Sequence, residues 1–179
     1  MGGTAPAAVV TAVVTRLRPA LPEEAEVLTR WRAEPASVFE DLDGGPAPQR
    51  HDRPLDELPP GAGSLVVTDG DGVLLGSVGW HAVAYGPNQG STALSIGISL
   101  RPHARGAGHG TRAQRMLAEY LLAGFPVHRI EATTDVDNVV EQRALVGAGF
   151  VREGVLREAQ WRHGAWHDLV SFSRLRGDG

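Results

Sequence analysis

The stretch that decides the fold is Arg105-Gly106-Ala107-Gly108-His109-Gly110-Thr111, which is followed by a regular pattern of apolar residues. The apolar positions recur at the spacing of one helix face and are Ala113, Met116, Leu117, Tyr120 and Leu121. Gly124 then stands where a C-terminal cap of that helix is expected. The glycines therefore occupy a turn that leads from a strand into a helix.

Glycine in such a turn lets the backbone approach a ligand closely. The N–H groups of the first helical turn point outward, and the helix dipole favours an anion there. The turn therefore predicts a phosphate site, although glycine-rich turns also arise for steric reasons alone. Two other nucleotide-binding patterns fit poorly. The P-loop needs a lysine, which the chain lacks, and the Rossmann motif belongs to the first strand of a parallel sheet.

The rest of the chain predicts one α/β domain over residues 13–176, preceded by a disordered tail over 1–12. The predicted elements are a strand over Val13–Arg18, a helix from Pro22 to about Ala33, a hairpin of Ser64–Thr68 and Val73–Ala84, and strands over Ala93–Leu100 and His128–Thr134. Residues 41–63 are rich in Pro, Gly and Asp and predict a long irregular loop.

These features together resemble the GNAT acyltransferase superfamily. Its cofactor motif is Arg or Gln, two residues, Gly, one residue, then Gly or Ala, and Arg105, Gly108 and Gly110 match all three positions. The segment Leu94–Pro102 is similar to the family strand that splays from its neighbour, and Gly147-Ala148-Gly149-Phe150 matches the Gly-Phe helix exit. The resemblance spans roughly residues 13–175 and favours the branch typified by ribosomal-protein N-terminal acetyltransferases.

The resemblance implies a GNAT fold, with a central mixed, mostly antiparallel sheet that splays at the cofactor site and is flanked by about four helices. It also implies acetyl-CoA as the acyl donor. The residues expected to bind this cofactor are Ile98, Leu100, Arg105, Gly106, Ala107, Gly108, His109, Gly110, Thr111 and Asn138. Asn138 also forms a capping-box pattern with Glu141 three residues later, and that pattern needs no ligand.

The implied reaction is direct attack of a neutral amine on a thioester in a ternary complex. It needs a base, an oxyanion donor and an acid for the leaving thiolate. By resemblance, Glu131 is the leading base and Asp135 the reserve, although either can instead be a structural charge. The oxyanion donor would be a backbone N–H near Leu100. A tyrosine that protonates the thiolate in many relatives would fall at Leu145, and a frequent lysine at Gly147, so the acid is unidentified.

Candidates for acceptor binding are Trp31, Trp80, His81 and Trp166. Packing is an alternative role for these residues, because alternation along a strand buries every second side chain. His163, His167 and Asp168 could be drawn as a metal site. They fall on a predicted hairpin tip without a further cluster of ligands, so no metal is expected.

Charge and composition limit the function classes. Arginine supplies all 17 basic residues, and the net charge is -4. Residues 72–118 contain arginines but no acid, which suits a small polyanion, whereas the overall negative charge argues against a nucleic-acid partner. The absence of cysteine excludes a cysteine acyl-enzyme. No apolar run is long enough to span a membrane, so no membrane partner is expected. Residues 1–12 carry no basic start and no extended leucine-rich core of a secretory signal, so we expect a cytoplasmic protein.

We therefore expect an N-acetyltransferase that acts on a primary amine, either a small molecule or a protein N-terminus. Two alternatives stay open. One is a non-catalytic acetyl-CoA-binding or sensor module, which the missing tyrosine and lysine favour. The other is an acyltransferase that uses a longer acyl chain or a hydroxyl acceptor. A homodimer is also an open alternative for the assembly.

Overall fold

The computed structural model describes residues 13–34, 37–39 and 61–178. The predicted tail over 1–12 and most of the predicted loop over 41–63 lie outside these residues. The described chain forms a seven-stranded sheet in the order β1-β2-β3-β4-β5-β7-β6. The strands are β1 Arg16–Arg18, β2 Ala62–Thr68, β3 Leu74–Ala84, β4 Thr92–Leu100, β5 Arg129–Asp135, β6 Val151–Arg162 and β7 Ala165–Leu175.

All neighbouring strands of the described sheet run antiparallel except β4 and β5, which run parallel. This confirms the mixed, mostly antiparallel sheet expected from the sequence. The β2–β3 hairpin forms where it was predicted. Asp69 Oδ1 accepts hydrogen bonds from the N–H groups of Asp71 and Val73, and Gly72 takes the left-handed backbone that the turn requires.

Three α-helices lie within the described residues, against about four expected, and they are α1 Ala25–Ala33, α2 His109–Gly124 and α3 Val139–Gly147. The predicted capping role of Gly124 is wrong. Gly124 is the last helical residue, and the helix ends because Phe125 turns to extended backbone and donates its N–H to Leu121 O. The Phe125 ring packs against Trp80 and Tyr120.

The sheet splits between β4 and β5. Within the described structure these strands pair at two positions, Leu94 with Ile130 and Ser95 with Glu131. Beyond Ser95 and Glu131 the two strands part and leave a gap in the middle of the sheet. A parallel pair needs a crossover connection, and α2 supplies it. The Gly turn before α2 therefore lies at the open end of the gap.

The main core lies between α2 and the sheet. Leu117 and Leu121 of α2 are fully buried against Leu94 of β4 and Ile130 of β5. Because side chains alternate along a strand, Ile130 and Ala132 face this core while Glu131 and Thr133 face the opposite side of β5. At the gap, one face of β5 is therefore apolar and the opposite face is polar. None of the described helices combines the length and apolar character that crossing a membrane requires.

Candidate active site

The turn between β4 and α2 has the backbone that its glycines predict. Gly106 and Gly108 have φ angles of 78° and 82°, in the left-handed region that favours glycine. A Cβ at Gly108 would lie 2.6 Å from Arg112 Nη1. The first N–H groups of α2 have no acceptor within the helix, so they point to an external anion. The turn can therefore hold a phosphate group.

Arg105 holds this turn to the end of β4. Its Nε and Nη2 atoms both donate to Leu100 O, at 3.0 and 2.8 Å. A guanidinium can make this two-point contact, whereas a lysine ammonium lacks the planar fork. The contact shows that Arg105 shapes the turn, and its cofactor-binding role stays a prediction.

His109 anchors the same turn from the inside. It is 8% exposed, and its Nδ1 lies 2.9 Å from Thr15 Oγ1. Burial, helped by the nearby charge of Arg112, lowers the pKa of His109. Its ring is therefore turned into the protein, and any direct contact with a cofactor falls to its backbone. Ala107 and His109 do not line the cleft described next.

A cleft of about 630 Å³ fills the gap between β4 and β5. Eight of the predicted cofactor-binding residues line it, namely Ile98, Leu100, Arg105, Gly106, Gly108, Gly110, Thr111 and Asn138. The lining also includes neighbouring residues of both faces of β4, such as Gly97 and Ile98, so the cleft reaches both sides of the sheet. Phe39, Gln160 and Leu169 line it as well. No periodic pattern in the sequence marks these three residues, because they come from separate segments.

Asn138 is both a helix cap and a cleft residue. Its Oδ1 accepts the N–H of Glu141 at 3.3 Å, and its Nδ2 donates to Thr134 Oγ1 at 3.1 Å. The predicted capping contact is thus confirmed, and the same side chain lines the cleft. Glu141 instead meets Gln114 of α2, which the capping-box pattern did not predict.

Glu141 is a titratable group that our sequence analysis did not place in the site. It lines the cleft in a half-buried position. Burial raises the pKa of Glu141 to about 7, against a smaller lowering effect of the hydrogen bond with Gln114. At neutral pH this carboxyl group is therefore protonated in a large fraction of molecules.

Glu131 lies where β4 and β5 begin to part, with its side chain on the face opposite α2. It is 8% exposed, accepts a hydrogen bond from Tyr85 Oη at 2.6 Å and contacts Arg129 Nε at 3.2 Å. The contact with Glu131 and burial raise the pKa of Tyr85. Glu131 itself does not line the cleft, but Thr133, two residues along the same face, does. His81 and Ser95 pair with each other on this face, beside Glu131.

Asp135 lines the far end of the cleft but is occupied by an ion pair. Its Oδ2 lies 2.5 Å from Arg162 Nη2 and 3.3 Å from His167 Nδ1. Burial acts to raise the pKa of Asp135, but the hydrogen bonds from Arg162 and from the Asp137 N–H outweigh it, and the pKa is lowered overall. Asp135 therefore stays ionised near neutral pH.

The four candidates for acceptor binding occupy different surroundings. Trp80 is 4% exposed and packs against Tyr120, in the core beside α2. Trp166 is exposed and meets Trp161 edge to face. Trp31 lies under the guanidinium of Arg101, 5.1 Å from the ring centroid. His81 is exposed on the face that also carries Glu131. The structure does not bring these four side chains together.

The described residues contain no group of three or more His, Asp or Glu side chains that could hold a metal ion. The cleft fits a different ligand. It combines a turn for a diphosphate with two parted strand edges whose backbone groups can bind amides. That combination defines a site for an extended ligand with a phosphate end, and acetyl-CoA has this shape and chemistry.

The comparison with known families agrees. The acetyltransferase (GNAT) domain family matches residues 15–151 of this chain. The protein therefore belongs to the GNAT acetyltransferase family, and the resemblance seen in the sequence is confirmed.

Individual relatives share a moderate sequence identity with this chain. The probable N-acetyltransferase YjcK of Bacillus subtilis is 34% identical over 113 residues, which are 63% of this chain and 61% of that protein. The chain thus spans about three-fifths of the length of this curated relative.

Among solved structures, ribosomal-protein-S5-alanine acetyltransferase from Vibrio fischeri is 27% identical, with a TM-score of 0.57 over 64% of this chain and 62% of the other. Spermidine N-acetyltransferase from Vibrio cholerae, in complex with CoA and spermine, is 19% identical, with a TM-score of 0.70 over 92% and 96%. The first agrees with the branch expected from the sequence, and the second shares the fold.

Proposed function

We propose that this protein is an acetyl-CoA-dependent N-acetyltransferase that acts on a primary amine, either of a small molecule or of a protein N-terminus. The observation that carries the proposal is the parting of β4 from β5 beside a turn with two left-handed glycines. Membership of the GNAT family supports the same activity. We also place the protein in the cytoplasm, as a single catalytic domain over residues 13–176.

In this proposal the turn around Gly108 holds the pyrophosphate. The backbone of Ile98 and Leu100 binds the pantetheine arm, and Asn138 contacts the arm from the start of α3. Bound acetyl-CoA supplies an acetyl group that is already activated as a thioester. The protein then has to orient the acceptor, exclude water and move protons, which are tasks for the side chains around the cleft.

Glu131 is the proposed base. It stands on β5 at the last residue before the strands part, and its carboxylate is on the face opposite α2. A water molecule can relay the proton of an acceptor amine from the cleft to this carboxylate. Asp135 is the reserve and is less suited, because Arg162 holds it and keeps its pKa low. A carboxylate of low pKa is a weak base.

Transfer is proposed to be direct, in a ternary complex. The cleft reaches both sides of the sheet, so the acyl donor and the acceptor can meet in the gap from opposite faces. The chain has no cysteine to carry an acetyl group. A thioester is also reactive enough for an amine to attack without a covalent relay.

Two acceptor classes have support from relatives. One structure of the same fold is named as a spermidine acetyltransferase, and another as a ribosomal-protein-alanine acetyltransferase. A small polyamine-like amine and a protein N-terminus are therefore both proposed as acceptors. A homodimer is compatible with either.

A second candidate function is a non-catalytic acetyl-CoA-binding module. The observation that favours it is Leu145, which is fully buried at the position where many relatives carry the tyrosine described above. Thiol release from acetyl-CoA with a panel of polyamines and N-terminal peptides separates the two functions. Acetylation of a panel member supports the enzyme, and tight binding without turnover across the panel supports the binding module.

The cofactor site is tested by Gly108→Asp, with Gly72→Asp as the control. Both glycines have a left-handed φ, but Gly72 lies in the β2–β3 turn, outside the cleft. Left-handed backbone costs a non-glycine residue about 1–2 kcal/mol, and the new carboxylate would also repel a diphosphate. We expect CoA affinity to fall by more than about tenfold in Gly108→Asp only, measured by calorimetry. Equal affinity in the two folded variants would refute the assignment.

A further inference from the structure

The acid that completes the reaction can be sought among the groups that line the cleft. The described lining residues that titrate are Asp135, Glu141, Arg105 and Arg143. Arginine does not release its proton in the range where proteins work. Asp135 is ionised in its pair with Arg162 and has no proton to give. Glu141 is therefore the group in this set that carries a transferable proton near neutral pH.

The position of Glu141 suits a proton donor. It is the third residue of α3, three positions after the Asn138 cap, and lies on the same helix face as Leu145 four residues later. Gln114 approaches it from α2, and Gln114 is itself 2% exposed. The carboxyl group is thus held between two helices, half-buried at the wall of the cleft.

We propose that Glu141 donates the proton to the thiolate that leaves when the thioester is cleaved. This inference rests on the proposed acetyltransferase function. In the step, the amine nitrogen forms a bond to the carbonyl carbon, and the C–S bond breaks with its electron pair going to sulphur. Glu141 gives its carboxyl proton to that sulphur, and Glu131 receives the proton lost by the amine. Glu141 then regains a proton from solvent before the next turnover.

The surroundings of Glu141 explain how it keeps the proton. Burial raises the pKa of Glu141 to about 7, and Gln114 opposes this rise. The charged groups on the same cleft wall are Arg105 on the turn, Arg143 on α3, and Asp135 on β5, which is neutralised by Arg162. The loss of water when the ligand fills the cleft would favour the neutral carboxyl further. Binding of CoA should therefore take up a proton at Glu141 when the pH is above 7.

The first experiment measures this proton uptake without turnover. Titration calorimetry of CoA at pH 8, in buffers of different ionisation enthalpy, reports the protons taken up on binding. We expect uptake by the wild type and by Glu26→Gln, an exposed carboxyl on α1 that serves as the control. Glu141→Gln should bind CoA within a few-fold of the wild type and take up fewer protons. Equal uptake in the wild type and Glu141→Gln would overturn the proposal.

The second experiment measures turnover. Because the acid must be protonated, the wild-type kcat should fall as the pH rises through the pKa of Glu141. Glu141→Gln should lower kcat by about 100-fold or more and remove this basic limb, with KM for acetyl-CoA little changed. Glu141→Asp, which keeps an acid, should retain the limb with partial activity. An unchanged kcat, or a lower kcat with the limb intact, would overturn the role. Absence of transfer in the wild type would instead count against the proposed function, and the calorimetry would still test Glu141.

Discussion

Removal of the Arg162 guanidinium should destabilise the protein strongly. The side chains of Arg162 and Asp135 are 3% and 2% exposed, and they lie 2.5 Å apart. Breaking a buried pair by deleting one partner costs about 3–5 kcal/mol, because the remaining charge is left buried without compensation. For a chain of this length each kcal/mol shifts the melting temperature by about 2–4 °C. We therefore expect Arg162→Met to melt about 6–20 °C below the wild type.

The stability lost in Arg162→Met should depend on pH, because the ionisation of Asp135 does. In the wild type the pKa of Asp135 is lowered, so its contribution to stability is present above the ordinary Asp pKa and is lost as the pH falls through the folded value. In Arg162→Met the burial that acts to raise the pKa of Asp135 remains, whereas the hydrogen bond and the charge of Arg162 that lower it are gone. The stability deficit of the variant should therefore shrink as the pH is lowered from 7 towards 5.

Urea unfolding at pH 7 and pH 5 measures both effects, with Arg157→Met as the control. Arg157 lies on the same strand but is exposed. Adding Asp135→Asn to Arg162→Met should recover part of the lost stability, since the uncompensated charge is then gone. A deficit for Arg162→Met within 1 kcal/mol of the control, on the scale of a surface change, would refute the reasoning. So would a deficit that does not change with pH.

Three further predictions concern the cleft. Glu131→Gln should lower kcat/KM by about two to four orders of magnitude at neutral pH and flatten the acidic limb of its pH profile, and a rate near that of the wild type would exclude Glu131 as the base. Asn138→Ala should lose about 1 kcal/mol of stability through the lost cap and also bind CoA more weakly. Asn138→Asp should restore the stability, so equal stability of the two variants in urea unfolding would contradict the capping role. Without ligand, Glu141→Gln should gain stability over the wild type as the pH rises from the ordinary Glu pKa of 4.5 to about 7, by up to about 3 kcal/mol, because the raised pKa of Glu141 makes its ionised form costly in the folded state. Parallel stability curves for the two proteins in urea between about pH 4 and pH 8 would contradict this.

Local sequence patterns were enough to predict the glycine-rich turn and the helix that follows it. Gly106 and Gly108 mark positive φ angles, and the helical spacing that ends near Leu121 marks α2, so both features could be read within about twenty residues. The parting of β4 and β5 came from resemblance to a family rather than from the residues themselves. Nothing in the alternation of Leu94–Leu100 indicates where its pairing with a distant strand stops.

The contacts that give charged residues their chemistry were not predictable. Tyr85 meets Glu131 across 46 positions of the chain. Glu141 fits a capping box by its spacing from Asn138, and only the packing of α2 against α3 brings Gln114 to it and partly buries it. Trp80 shows a related limit, because strand alternation defines two faces but does not say which face meets a helix. In each of these cases, the surroundings of the side chain depend on a contact between separate helices or strands.

The gap between β4 and β5 also bears on aggregation. Unpaired strand edges can recruit a strand from another molecule, and most proteins cover them or keep them short. Here two such edges lie inside the sheet, facing each other across a cleft of about 630 Å³. Each edge is sheltered by the other, and the turn at Gly108 and the cap at Asn138 stand at its open end. A strand from another molecule could reach these edges only through the opening of the cleft. That opening suits a thin, unbranched ligand that carries amides of its own. Protection from misassembly and selection of the ligand are thus two results of the same geometry.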